Sequence, residues 1–107
     1  MASGKLAGID ITSPNTDTQL YAVPSAKTAS VTVCMTNRTG ATVKVRLALT
    51  SVTSVANTDY VAFDVSIPAN ETYERSGLVG TTGQYMYARA NATGISAVVF
   101  GYEDTAA

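Results

Sequence analysis

The sequence predicts an all-β fold: a small antiparallel β-sandwich of about seven strands, preceded by an extended N-terminal arm. Three observations carry this expectation. Apolar and polar residues alternate in several stretches, most clearly over residues 42–50 (TVKVRLALT), where Val43, Val45, Leu47 and Leu49 interleave with Lys44, Arg46, Ala48 and Thr50. A period of two puts the branched residues on one side of a pleated strand and both cations on the other. Turn residues recur between such stretches roughly every ten residues, the spacing of a sandwich. No stretch carries the period of an amphipathic helix.

Residues 1–18 hold Gly4, Gly8, Pro14, Asn15 and Asp17, with isolated apolar side chains at Leu6, Ile9 and Ile11. This pattern is too sparse for a helix and too broken for a good strand. It reads as an arm whose three large aliphatics dock on a neighbouring subunit, a frayed terminus being the plainer alternative. Residues 19–107 then form the sandwich. Residues 19–23 (QLYAV) make a short strand stopped by Pro24. Residues 29–37 (ASVTVCMTN) and 42–50 read as the two arms of a central hairpin, with Asn37 and Gly40 supplying the backbone freedom of its turn.

After a loop at 51–58 comes a strand over 59–67 (DYVAFDVSI). Its alternation sets Val61, Phe63, Val65 and Ile67 on one face, and Tyr60, Ala62, Asp64 and Ser66 on the other. Pro68 opens the next turn. A short strand over 72–77, a flexible connection at 80–83, a strand over 84–90 (QYMYARA), a turn at 91–94 and a last strand over 95–102 (ISAVVFGY) complete the chain.

Two strands carry more apolar surface than one core needs. In the last, Ile95, Ala97 and Val99 oppose Val98, Phe100 and Tyr102; in the one before, Met86, Ala88 and Ala90 oppose Tyr85, Tyr87 and Arg89. A strand apolar on both sides lies between two layers or is covered by a partner. Tyr and Arg are enriched at buried interfaces, so Tyr85, Tyr87, Arg89 and Tyr102 join Leu6, Ile9 and Ile11 as interface candidates.

Composition narrows the chemistry. Of 107 residues 46% are hydrophobic and only 14% charged, while sixteen Thr and nine Ser supply polarity suited to half-exposed strands. A net charge of -1 exerts no long-range pull on nucleic acid or an anionic membrane, and no stretch approaches a membrane span. The first residues contain no signal-peptide core, so synthesis and retention in a cytoplasm are expected. The absence of His excludes His-based triads, Cys–His pairs and imidazole metal sites. The single Cys34 reads as a small half-buried residue rather than a reactive thiol.

Acid–base work by two carboxylates would have to draw on Asp59, Asp64, Glu71 and Glu74, whose spacing singles out no pair. Asn15-Thr16-Asp17 and Asn57-Thr58-Asp59 fit Asx turns better than calcium loops. Three Asn-x-Thr triplets, at Asn37, Asn70 and Asn91, fall where turns want Asn. No catalytic, metal or cofactor site is therefore expected.

A series of short motifs runs through residues 17–103. Thr16-Asp17-Thr18 leads into a strand ending in Val23-Pro24, and Asn37-Arg38-Thr39 precedes Val43-Lys44-Val45-Arg46-Leu47-Ala48. Asp59-Tyr60 and Asp64-Val65-Ser66-Ile67-Pro68-Ala69-Asn70 follow, then Glu74-Arg75-Ser76-Gly77, Tyr87-Ala88-Arg89-Ala90 and Val98-Val99-Phe100-Gly101-Tyr102-Glu103. In this series the chain resembles small virion proteins of tailed bacteriophages.

The resemblance implies a non-enzymatic β-sandwich subunit present in many copies on a particle, made in the host bacterial cytoplasm. The expected role is a decoration or cement protein that binds the major capsid protein of the assembled head. A homo-oligomer is expected, a trimer among its forms. A tail, collar, baseplate or fibre subunit is the alternative within that class. A carbohydrate-binding module using Tyr60, Tyr85 and Tyr87 as stacking platforms is the alternative outside it, weakened by the absence of Trp.

Overall fold

The computed structural model describes residues 3–105; the outermost residues of the predicted arm (1–2) and of the predicted sandwich domain (106–107) lie outside the described residues. The expected all-β class is present as eight strands rather than seven. They are β1 (Ser3–Ile11), β2 (Thr18–Ala22), β3 (Lys27–Asn37), β4 (Val43–Thr50), β5 (Tyr60–Ile67), β6 (Thr72–Thr81), β7 (Tyr85–Ala90) and β8 (Ile95–Thr105). Two four-stranded antiparallel sheets result, one ordered β1-β8-β3-β6 and the other β2-β7-β4-β5. We call them the first and second sheet.

β1 pairs with β8, β2 with β7, β3 with β6 and β4 with β5. The chain is thus one antiparallel double ribbon, four strands out and four back, wound over two sheets. That winding is a jelly roll. Its core is formed by the inward residues of both sheets, with Ile11, Val33, Met35, Val45, Leu47, Met86, Ile95 and Val99 among the most deeply buried.

The extra strand is the stretch read as an arm. β1 lies along β8 as an edge strand, with Ala7 opposite Val99, Ile9 opposite Ala97 and Ile11 opposite Ile95. A register shift between Lys5 and Ala7, and a positive φ of 92° at Gly4, break its alternation. β8 supplies the pairing that the local sequence could not advertise. Ile11 is fully buried in the chain's own core, and Leu6 and Ile9 pack partly buried against it. These aliphatics are therefore engaged within the chain itself.

The expected central hairpin is a second correction. β3 and β4 lie in different sheets and do not pair. The reason is Asn37, whose side chain is buried at the corner between them. Its Nδ2 donates to the carbonyls of Ala41 (2.7 Å), Ile67 (2.9 Å) and Pro68 (3.3 Å). Its Oδ1 accepts from the Thr39 backbone N–H (2.9 Å) and hydroxyl (2.6 Å). One amide thus satisfies backbone groups of two sheet-crossing connections, β3–β4 and β5–β6, a role a solvent-facing turn Asn would not fill.

β5 also departs from simple alternation. Val45 faces Val65 and Leu47 faces Ala62, so β5 spends one residue more than β4 over this span, and a second shift follows. Asp64 sits in the bulge with φ of 51°. The bulge reverses the strand's phase: Phe63, expected beside Ile67, is 55% exposed, while Ala62 is buried. Elsewhere the expected phases stand. Val31, Val33 and Met35 face in, as do Met86, Ala88 and Ala90, and Ile95, Ala97 and Val99. β7 and β8 are each central in their sheet, but with two sheets neither lies between two layers, so the outward apolar residues of β8, Phe100 and Tyr102, stay exposed.

Candidate functional surfaces

The jelly roll leaves two broad outer faces of opposite character. On the first sheet the outward residues of β3 are Ser30, Thr32, Cys34 and Thr36, all short and uncharged. Register sets Tyr102 beside Ser30, Phe100 beside Thr32 and Val98 beside Cys34, while Val79 of β6 flanks Ser30 on the other side. Val79 (57% exposed), Tyr102 (49%) and Phe100 (36%) form an apolar strip on this face. Cys34 donates its thiol towards Glu74 Oε2 at 3.5 Å. Burial, then the Glu74 hydrogen bond and charge, push the thiol up from its ordinary range, so it stays protonated at neutral pH.

On the second sheet the outward face is charged. Arg46 of β4 lies directly opposite Arg89 of β7, a like-charge placement that costs stability unless compensated. Asp64 compensates Arg46, accepting from Nε at 2.7 Å and Nη2 at 3.5 Å. Asp17 reaches Arg89 only at 4.0 Å. The Arg46 hydrogen bond holds the Asp64 carboxyl below the usual range, and the charges of Arg46, Lys44 and Arg89 add to this. The Arg46 guanidinium also covers the Phe63 ring at 4.0 Å, and Phe63 meets Tyr60 edge to face with centroids 5.0 Å apart. Lys44, Arg46, Asp64, Arg89, Asn15 and Asn91 line a concavity of about 180 Å³ here.

The expected interface residues are divided between these faces. Tyr85, Tyr87 and Arg89 share the outer side of the second sheet; Tyr102 is on the first; Leu6, Ile9 and Ile11 belong to β1. Tyr87 is buried, its hydroxyl within reach of Gln19 Oε1 (3.3 Å) and the Thr53 carbonyl (3.2 Å). The loop over residues 51–58 is held against this end by Thr50, whose hydroxyl donates to Ser54 O at 3.1 Å. Tyr87 is therefore not a free stacking platform in this structure. Sequence reasoning missed the cluster around Asp64. Its signal was present in part, because Lys44 and Arg46 share a strand face, but the bulge that lifts Asp64 and Phe63 beside them depends on pairing.

Three of the four candidate acids have separate partners. Asp59 Oδ2 accepts from Ala56 N–H at 2.8 Å in a turn, Glu74 takes the Cys34 thiol, and Asp64 takes Arg46. Asn91 Oδ1 accepts the Lys44 N–H at 3.1 Å, another structural use of a turn Asn. Among the described residues no group of three or more His, Cys, Asp or Glu is placed to hold a metal ion, and no helix is long and apolar enough to cross a membrane.

Fold and surfaces together define an all-β jelly-roll domain with an apolar strip on one outer face and a cluster of three cations around Asp64 on the other. No protein-family model matches the chain, and neither the curated proteins nor the solved structures give a significant match.

Proposed function

We propose that this chain is a non-enzymatic structural protein of a tailed-bacteriophage virion, a decoration or cement protein that binds the assembled head through the outer face of its first sheet. The observation that carries the reading is the apolar strip of Val79, Phe100 and Tyr102 on an otherwise Ser- and Thr-rich face. The strip offers an aromatic anchor at the middle of the face, while the face's charges, Lys5 and Asp10 on β1, Glu74 on β6 and Asp104 near the end of β8, lie towards the rim. The motif resemblance over residues 17–103 supports the virion assignment. Jelly rolls serve viral capsids and also lectins, so the fold supports it by analogy alone. On this reading the chain's action is binding alone. Its partner is the major capsid protein, reached after synthesis in the bacterial cytoplasm, and it works as one of many copies, self-associated where capsomers meet.

The test is addition of purified protein to expanded, undecorated heads. Binding at a fixed copy ratio, with a raised melting temperature of the heads, is the expected result. The double substitution Phe100→Ser and Tyr102→Ser should abolish binding while the isolated domain still folds. Heads that take up none of the wild-type protein would end the decoration reading. A small copy number per virion, in multiples of three or six, would move the assignment to a tail, collar, baseplate or fibre subunit.

A further inference from the structure

We propose that the concavity on the second sheet is a binding site for an oxyanion, the carboxylate or phosphate group of a small ligand. This site is independent of the virion role and lies on the face opposite the apolar strip. Three cations, Lys44, Arg46 and Arg89, line one depression against a single lining carboxylate, Asp64. Arg46 and Arg89 sit directly opposite each other on neighbouring strands, where like charges repel. An anion lying between them would relieve that repulsion.

The acids already present leave this capacity unfilled. Asp64 is committed to Arg46, through Nε and Nη2. Arg89 has only Asp17 at 4.0 Å, beyond hydrogen-bond length. Among the described residues no carboxylate lies within 4 Å of Lys44 Nζ. A guanidinium fork with free N–H groups matches a carboxylate or phosphate bidentately, and a neighbouring ammonium adds a point charge. The Asn91 amide contributes further. Its oxygen is fixed by the Lys44 backbone N–H at 3.1 Å, which leaves its NH2 group as a donor at the lining. The backbone at Asp64 is held at φ of 51°, a left-handed conformation of the kind that clusters at ligand sites.

Asp64 then acts as an internal competitor, an anion of the chain itself occupying one of the two arginines. This gives the proposal a signature that a purely structural salt bridge lacks. Removing Asp64's charge should tighten ligand binding, whereas removing a cation should weaken it. Asn tolerates the left-handed backbone at position 64, so Asp64→Asn preserves the bulge.

The experiment is titration of the isotopically labelled protein with inorganic phosphate, glucuronate and glucose, followed by amide shifts at residues 44–46, 64 and 89–91. Saturable shifts confined to this face, with a Kd of about 1 mM or tighter for phosphate, glucuronate or both, are expected. Binding of phosphate alone assigns a phosphate ligand, and binding of glucuronate alone assigns a carboxylate-bearing sugar. Arg89→Gln and Lys44→Gln should each weaken binding about tenfold, and Asp64→Asn should strengthen it several-fold. Absence of saturable shifts with both anions, equal binding of glucose and glucuronate, or indifference of the affinity to all three substitutions would overturn the proposal. A cation variant with lowered thermal stability is read through Asp64→Asn, whose opposite sign loss of folding cannot mimic.

Discussion

The outer faces of the two sheets are built from the same kind of strand yet differ in almost every surface property. In the first sheet β3 and β8 pair without a shift over eleven residues, from Lys27 opposite Thr105 to Asn37 opposite Ile95. Strict alternation there sends every second residue outwards, and apart from Asp104 the residues sent out are small, hydroxylated or apolar. In the second sheet β4 pairs regularly with β7, but its other partner, β5, is bulged twice. That irregular edge lifts Phe63 and Asp64 onto the side already occupied by Lys44 and Arg46. The shifts of the first sheet fall where its edge strands β1 and β6 meet β8 and β3 and leave the central strip in place, whereas the shifts of β5 bring Asp64 into the cation cluster.

The strongest way to break this contrast is at Gly101 in the first sheet, where β8 pairs with β3 without a shift. Its φ is 150°, and a Cβ there would lie 2.1 Å from the Ser30 carbonyl oxygen. Gly101→Ala should cost at least about 3 kcal/mol by combining backbone strain with a clash against the neighbouring strand. Chemical denaturation gives the total. Hydrogen exchange should show β3 and β8 opening before β4 and β7; a loss shared evenly by both sheets would deny that the close approach belongs to the first alone.

A somewhat smaller effect probes what joins the sheets. Asn37→Ala strands the Ile67 carbonyl and the Thr39 N–H, for an expected loss of about 2–3 kcal/mol. Asn91, in a turn with the same Asn-x-Thr pattern, has only the Lys44 N–H to satisfy, so Asn91→Ala should cost about 1 kcal/mol. Equal losses would show that the corner amide has no special place.

The third prediction concerns the buried polar contact between the sheets, where the Tyr21 hydroxyl of β2 donates to the Glu103 carboxylate of β8. Burial, followed by the hydrogen bond and charge of Glu103, pushes the phenol well above its ordinary value. The unfolded chain releases this proton near pH 10, while the folded chain keeps it. The contribution is therefore complete below about pH 10 and is lost as pH rises beyond it. Stability measured between about pH 8 and pH 11 should fall, and Tyr21→Phe should flatten part of that fall. The same substitution should cost about 1–3 kcal/mol at neutral pH by leaving a buried carboxylate without its donor. An unchanged alkaline slope in the variant would place the titration elsewhere.

Deletion of residues 1–12, a natural probe for a docking arm, no longer tests docking cleanly. It would remove β1 and expose β8, whose inward Ile95, Ala97 and Val99 face Ile11, Ile9 and Ala7. Point changes on the outer faces separate partner binding from folding, because they leave these inward pairs intact.

Much of the fold was legible in the chain. The alternation of residues 29–37, 84–90 and 95–102 set which side chains face in, because a strand in the middle of a sheet obeys its own period of two. The Thr-rich composition and recurrent turn residues set the all-β class. What the period could not reveal was anything decided by a distant partner. β1 has a weak local pattern and exists because β8 lies beside it. β5 changes phase because β4 imposes a count it does not match. Asn37 resembles any turn asparagine until carbonyls thirty residues away converge on its amide. Side-chain alternation is local wherever a strand is unbulged, whereas register, bulges and sheet membership minimise the free energy of the whole packed pair. The outward Phe100 and Tyr102 of β8 could therefore be read in the sequence, and the charged concavity only in the assembled fold.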